Sequence, residues 1–379
     1  MQKTSVFING AFGDGQGTAF QVENPSDESL VTEVSGASLA QVDAAIGAAR
    51  ASFDSGVWSA MPAKQRGAML TRYGEALRKR ADRLKELAIL EAGCPASSTV
   101  MGAQVHAPLR MTDEIIDLFL RLPEQEENPL PIHERVNAYF TVQSLKRYAP
   151  LGVVSAISAY NVPFYTAFWK VLPALMAGNS VVLRPNPLTP LSAMIFAEAA
   201  AETGLPAGVL NVVLEGGLEG GQLMSTDPRV DMVSFTGSCT VGAKVAEQAA
   251  PTLKRLVLEL GGKSAQIYLP DSVDRAPSAA YTVCTSHAGQ GCVLGTRIFV
   301  PQEHKAEIMA GMAAMLANVK IGPASDPATQ LGPVISAAQR ARCEHFTQAA
   351  VDAGGKVVCG GKRPAGLDKG FYFEPTVLD

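Results

Sequence analysis

The chain has 379 residues, 47% hydrophobic and 18% charged, and its 32 basic against 36 acidic side chains give a net charge of −4. That length fits two or three domains with a cleft between them, and the balanced charge, without a basic block, argues against a nucleic-acid or acidic-membrane partner. No apolar run reaches the length that spans a bilayer, and the start lacks the basic and apolar regions of a secretory signal, so the expected location is cytoplasmic.

Residues 5–8 read as a short strand followed by a hairpin turn at Asn9-Gly10. From 38 to 53, Leu39, Val42, Ala45, Ile46 and Ala49 fall on one helical face, with Ser38 as N-cap. Residues 64–93 hold two more amphipathic helices, ending at Gly93-Cys94-Pro95, and 106–122 form another. A loop mixing acidic residues with prolines follows over 123–133, and the alternation from 135 to 145 predicts a strand or hairpin arm. After Pro150 the texture changes. Apolar strands over 152–157, 180–183, 209–213, 232–235, 255–258 and 265–268 are separated by helical stretches. Such alternation predicts an open, largely parallel α/β sheet, which binds ligands beyond the C-terminal ends of its strands. A further α/β passage runs from 282 onward.

Six cysteines make no C-x-x-C pair and five histidines are scattered, so neither a disulfide framework nor a metal site is expected. The chemistry sits at the strand ends. Strand 153–157 runs into Ser158-Ala159-Tyr160-Asn161-Val162-Pro163, and strand 181–183 into Arg184-Pro185-Asn186-Pro187. Strand 232–234 runs into Phe235-Thr236-Gly237-Ser238, and strand 256–258 into Glu259-Leu260-Gly261-Gly262-Lys263. Finally, Gly289-Gln290-Gly291-Cys292 precedes the apolar segment 297–300. Taken singly, each has an ordinary reading: a turn, a solvated loop carboxylate, a core thiol.

Their order and spacing resemble the aldehyde dehydrogenase superfamily motif by motif. The resemblance extends to Phe7-Ile8-Asn9-Gly10, Leu331-Gly332-Pro333 and Gly370-Phe371-Tyr372-Phe373-Glu374-Pro375-Thr376, and so covers nearly the whole chain. It implies an α/β fold with a variant Rossmann dinucleotide-binding domain over 1–125 and 149–259. A β-hairpin oligomerisation arm is implied over 126–148, and an α/β catalytic domain over 260–379. It also implies an NAD(P)-dependent, non-phosphorylating oxidation of a small aldehyde in a homodimer or homotetramer.

Cys292 is the implied nucleophile, Asn161 the oxyanion donor, and Glu259 the base that activates water against a thioester. For NAD or NADP the resemblance implies Ser158, Ala159, Tyr160, Arg184, Pro185, Gly217, Gly221, Phe235, Thr236, Gly237, Ser238, Val241 and Leu260. Val162, Thr166, Trp169, Gly291 and Val293 are the implied tunnel walls, roomy and tolerant of apolar substrates. Relatives commonly have Lys where Arg184 stands and Glu where Pro187 stands, so the expectation is a site that does not exclude NADP⁺. Relatives also continue beyond the position of Asp379 into a segment that holds the nicotinamide ribose. The chain therefore reads as truncated, with an incompetent fragment and a cofactor-independent cysteine esterase as the alternative readings.

Overall fold

The computed structural model describes residues 4–128 and 142–379. Strands β1 (Thr4–Ile8) and β2 (Ala11–Asp14) pair antiparallel through a turn in which Asn9 and Gly10 take φ of 52° and 80°. Positive φ at both central residues matches the twist of a hairpin, and Asn-Gly is the pair that adopts it most readily. Strands β3 (Ala19–Glu23) and β4 (Leu30–Ser35) form a second antiparallel pair. The helix Leu39–Asp54 starts at Ser38, whose Oγ accepts from Gln41 N while the Gln41 side chain accepts from Ser38 N, a reciprocal capping box. Val42, Ala45, Ile46 and Ala49 are fully buried, whereas Leu39, in the first turn, is 52% exposed.

Helices Ala63–Arg78, Ala81–Leu90 and Ala107–Arg121 follow, the last entered through a π-helical turn at Gly102–His106. Strands β5 (Gln125–Glu127) and β6 (Leu145–Arg147) pair antiparallel at the base of the expected arm. The rest of that arm, residues 129–141, lies outside the described residues.

The main sheet contains β7 (Val153–Ile157), β8 (Ser180–Arg184), β9 (Leu210–Val213), β10 (Met232–Gly237) and β11 (Arg255–Leu260), in the order β11-β10-β7-β8-β9-β1-β2. The five from β7 to β11 are parallel, and β1 adds antiparallel to β9, with β2 outermost on that side. Every residue of β7, β8 and β9 is buried, which explains why apolar residues dominate both faces of each strand. The chain winds from β7 outward to β9, then returns to lay β10 on the other side of β7. This reversal opens a crevice at the C-terminal ends of β7 and β10.

The strand expected at 265–268 leaves this sheet. The Gly261-Gly262 break redirects it as β12 (Ala265–Ile267), which pairs parallel with β13 (Arg297–Phe299). A last antiparallel pair joins β14 (Val357–Cys359) to β15 (Val377–Leu378). Behind the end of β8, fully buried Glu91 accepts from the backbone N–H groups of Leu191 (2.9 Å) and Ser192 (3.2 Å), and burial pushes its carboxyl up to about 8.

Candidate active site

Strand register assembles the chemistry along one edge. Ile157 lies beside Arg184 and Phe235, Thr236 beside Glu259, and Gly237 beside Leu260. Ser158 N donates to Arg184 O at 3.1 Å, extending the ladder one residue past the end of β7. Asn161 then precedes the helix Pro163–Met176, which has Pro at its first position.

Asn161 is fixed from two sides. Its carbonyl accepts from Gln104 Nε2 at 2.8 Å, and its Nδ2 donates to Gln290 O at 2.7 Å. Gln290 is in turn anchored, its Oε1 accepting from Ile335 N at 2.9 Å. An amide nitrogen carries two donors. One is directed at the Gln290 carbonyl, which leaves a second donor on the same nitrogen. The Glu259 strand approaches the same loop, for a Cβ at Gly262 would stand 2.9 Å from the Cys292 carbonyl oxygen. Cys292 and Glu259 are both exposed. Asn161 thus reaches the loop that carries Cys292 through its side-chain amide, and the segment after Glu259 approaches the same loop at Gly262.

Lys170 is a member of this neighbourhood that motif reading missed. Its ammonium is buried, donates to Ser234 Oγ at 3.0 Å, and has its pKa pushed down to about 8 by burial, with the Glu259 charge pulling it partly back. The signal was available: Lys170 is the single cation in the apolar helix Pro163–Met176.

The expected tunnel residues fall in two groups. Val162, Thr166 and Trp169 follow helical spacing along one face. The Thr166 hydroxyl donates to Val162 O at 3.1 Å, and the Trp169 ring meets Phe168 edge-on at 6.0 Å with its indole nitrogen unpartnered. Gly291 and Val293 flank Cys292, with Val293 81% exposed. The Asn161–Gln290 bond joins the two groups.

The strand ends also fit a dinucleotide. Ser238 caps the helix Cys239–Ala249 by accepting from Val241 N at 3.3 Å, leaving the other first-turn N–H groups that make a helix start attractive to phosphate. A Cβ at Gly237 would stand against the Phe235 ring and one at Gly242 against the Leu260 methyls, so a larger residue at either position would push those side chains aside. Ala159 and Pro185 are buried, and Tyr160 accepts from Thr189 Oγ1 through its carbonyl at 3.3 Å. The Arg184 guanidinium is not free: its Nε donates to Glu215 at 2.5 Å, and a terminal nitrogen donates to Gly217 O. Among the described residues, no group of three or more His, Cys, Asp or Glu could hold a metal ion, and no helix is long and apolar enough to cross a membrane.

His287 is fully buried behind this loop at φ 50°, followed by Ala288 at φ 53°. Neither ring nitrogen has a hydrogen-bond partner. Burial pushes its pKa down to about 4, countered in part by the nearby Asn161 backbone. A depressed histidine pKa means that the unfolded chain binds the extra proton first, so stability is lost as pH falls from 6.5 toward 4. The full shift corresponds to about 3 kcal/mol. Asn tolerates positive φ and does not titrate. His287→Asn is therefore expected to flatten this acid loss, measured by denaturant unfolding of both proteins across that window. Parallel acid limbs in the two proteins would exclude His287 as the cause.

A model of the aldehyde dehydrogenase family matches residues 12–379. The structure is similar to an aldehyde dehydrogenase C mutant from Pseudomonas syringae complexed with NAD⁺ and octanal, at 34% identity and a TM-score of 0.90, covering 100% of this chain and 75% of that one. It is similar to a putative aldehyde dehydrogenase from Burkholderia cenocepacia, at 34% identity and a TM-score of 0.91, covering 100% of this chain and 76% of that one. A betaine aldehyde dehydrogenase from Staphylococcus aureus in complex with NAD⁺ matches at 31% identity and a TM-score of 0.91, covering 100% of this chain and 74% of that one.

Proposed function

Because the chain belongs to the aldehyde dehydrogenase family, we propose that it oxidises an aldehyde to the free carboxylic acid with a nicotinamide dinucleotide. The observation that carries this reading is the bond from Asn161 Nδ2 to the backbone of the Gln290–Cys292 loop, beside the strand that ends in Glu259. It supports a site in which Asn161 serves as oxyanion donor to the loop of Cys292, with Glu259 on the strand that leads into the neighbouring segment.

Cys292 as thiolate forms a C–S bond to the carbonyl carbon, and the oxygen becomes an alkoxide held by Asn161 and the Cys292 N–H. The strand ends from Ser158 to Leu260 would hold NAD⁺ or NADP⁺, which would supply the hydride acceptor that takes Cys292 to the thioester. Glu259 takes a proton from water as the water oxygen bonds to the acyl carbon. The C–S bond then breaks, releasing the acid and restoring the thiolate. Lys170 stands within electrostatic reach of Glu259, whose charge partly offsets the burial that lowers the lysine pKa.

The strand ends from Ser158 to Leu260 serve the dinucleotide, and Val162, Thr166, Trp169, Gly291 and Val293 line the approach of the aldehyde. In domain terms, 1–125 and 149–259 form the dinucleotide-binding part, 260–379 carries the nucleophile, and 126–148 is assigned to oligomerisation, as a homodimer or homotetramer. Octanal, found with one relative, is a suitable first substrate. Mixing the chain with octanal and NAD⁺ or NADP⁺ is expected to give reduced-cofactor absorbance and octanoic acid in equal amounts. No reduced cofactor with octanal or with short, branched and aromatic aldehydes would overturn the reading, and ester turnover without cofactor would replace it with a thiol esterase.

A further inference from the structure

Counting from β7, the five parallel strands lie in the order 3-2-1-4-5. In sheets wound this way, the end of the second strand meets the adenosine ribose of a dinucleotide, and an arginine there is suited to a 2′-phosphate. Here the second strand is β8 and its last residue is Arg184. The guanidinium is already committed. Its Nε donates to Glu215 Oε2 at 2.5 Å, a terminal nitrogen donates to Gly217 O, and each side chain of the pair is 7% exposed.

Glu215 is itself held in place. It stands two residues past β9, and its other oxygen accepts from Gly220 N at 2.6 Å. The helix Glu219–Thr226 closes over the pair, since a Cβ at Gly221 would stand 3.6 Å from Arg184 Cζ. Exposed Glu219 adds a second carboxylate. Its pKa is held below the usual range by the backbone N–H groups of Glu219 and Leu218 and, in smaller part, by Arg184.

We propose that Glu215 makes this site selective for a dinucleotide with a free 2′-hydroxyl, because it neutralises Arg184 and holds its fork away from a 2′-phosphate. The proposal rests on the dehydrogenase reading above and adds to it the choice of cofactor. One cation facing two carboxylates leaves the strand end net negative, whereas a 2′-phosphate brings about two further negative charges at neutral pH. The absence of a carboxylate at Pro187 therefore does not open the site to NADP⁺. Glu215 acts through Arg184 as a positioning residue, so the readout must be a ratio of affinities rather than stability.

Equilibrium binding of NAD⁺ and of NADP⁺ to the chain, measured by calorimetry without aldehyde, tests this. The wild-type chain is expected to bind NAD⁺ at least about tenfold more tightly than NADP⁺, and Glu215→Gln to narrow that ratio at least about tenfold. If Glu215→Gln does not fold around an unpaired guanidinium, the wild-type ratio decides alone. It is expected to narrow between about pH 7.5 and about pH 5.5, as the 2′-phosphate takes up its second proton. Equal wild-type affinities, or a ratio that neither the substitution nor the pH moves, overturn the proposal and leave the dehydrogenase reading standing. Binding of neither dinucleotide would instead count against that reading.

Discussion

Replacing Cys292 by Ala is expected to lower aldehyde turnover by a factor on the order of 10⁴ or more while leaving NAD⁺ affinity within about twofold. Without a C–S bond, the aldehyde carbon never becomes the electron-rich tetrahedral centre that releases hydride, so no slower version of the same route remains. Most of the other thiols are poor substitutes. Burial pushes Cys94 up to about 12 and Cys284 up to about 11, and it raises Cys343 and Cys359 as well. Cys239 is exposed, and its sulfur lies against Gly261 O at 3.7 Å, beside the segment that approaches the Cys292 loop at Gly262, so it is the one exposed alternative thiol near the site among the described residues. Single-turnover and steady-state assays with the Cys292→Ala variant decide the matter. Appreciable turnover would transfer the nucleophile to Cys239.

Glu259→Gln is expected to separate the two halves of the reaction. Thioester hydrolysis is the step that needs an activated water, and loss of a general base costs roughly 10²–10⁴ in rate. The variant should therefore still deliver a burst of reduced cofactor close to one per site, followed by a steady state slower by that factor. Mass spectrometry at the end of the burst should find Cys292 carrying the acyl group. Loss of the burst, with no adduct, would move Glu259 to the earlier role of deprotonating the thiol. Gln cannot ionise, so the Lys170 ammonium loses the opposing charge, and the lysine pKa should fall from about 8 to a lower value in this variant.

Much of this site was legible in the sequence because its parts are local. A strand ending in Glu259-Leu260-Gly261-Gly262 needs no tertiary information to be placed at a sheet edge, and Asn9-Gly10 carries its own turn conformation. What escaped depends on pairs distant along the chain. The partner of Arg184 is 31 residues away, just past another strand, and Glu215 has no feature that distinguishes it from a solvated loop carboxylate. The strand at 265–268 has the apolar texture of its predecessors, yet two glycines turn it out of the main sheet, and texture does not encode which neighbour a strand selects. Gln104, which steadies the Asn161 carbonyl, comes from a π-helical turn 57 residues upstream.

The closing of β1 onto β9 has a consequence during synthesis. Asn9 N finds its acceptor on Asn211, 202 residues later, and the Ser26 carbonyl waits for the Tyr372 hydroxyl, 346 residues later. At typical elongation rates the first strand remains unpaired with the central sheet for on the order of tens of seconds after it leaves the ribosome. Its apolar residues Val6 and Phe7, buried at completion, stay open to chance encounters throughout that interval. The hairpin with β2, formed in microseconds, can occupy one edge of β1 almost at once, and leaves only the edge reserved for β9 exposed. The tight Asn9-Gly10 turn thus gives the nascent chain early protection against aggregation, at the end that must wait longest for its partner.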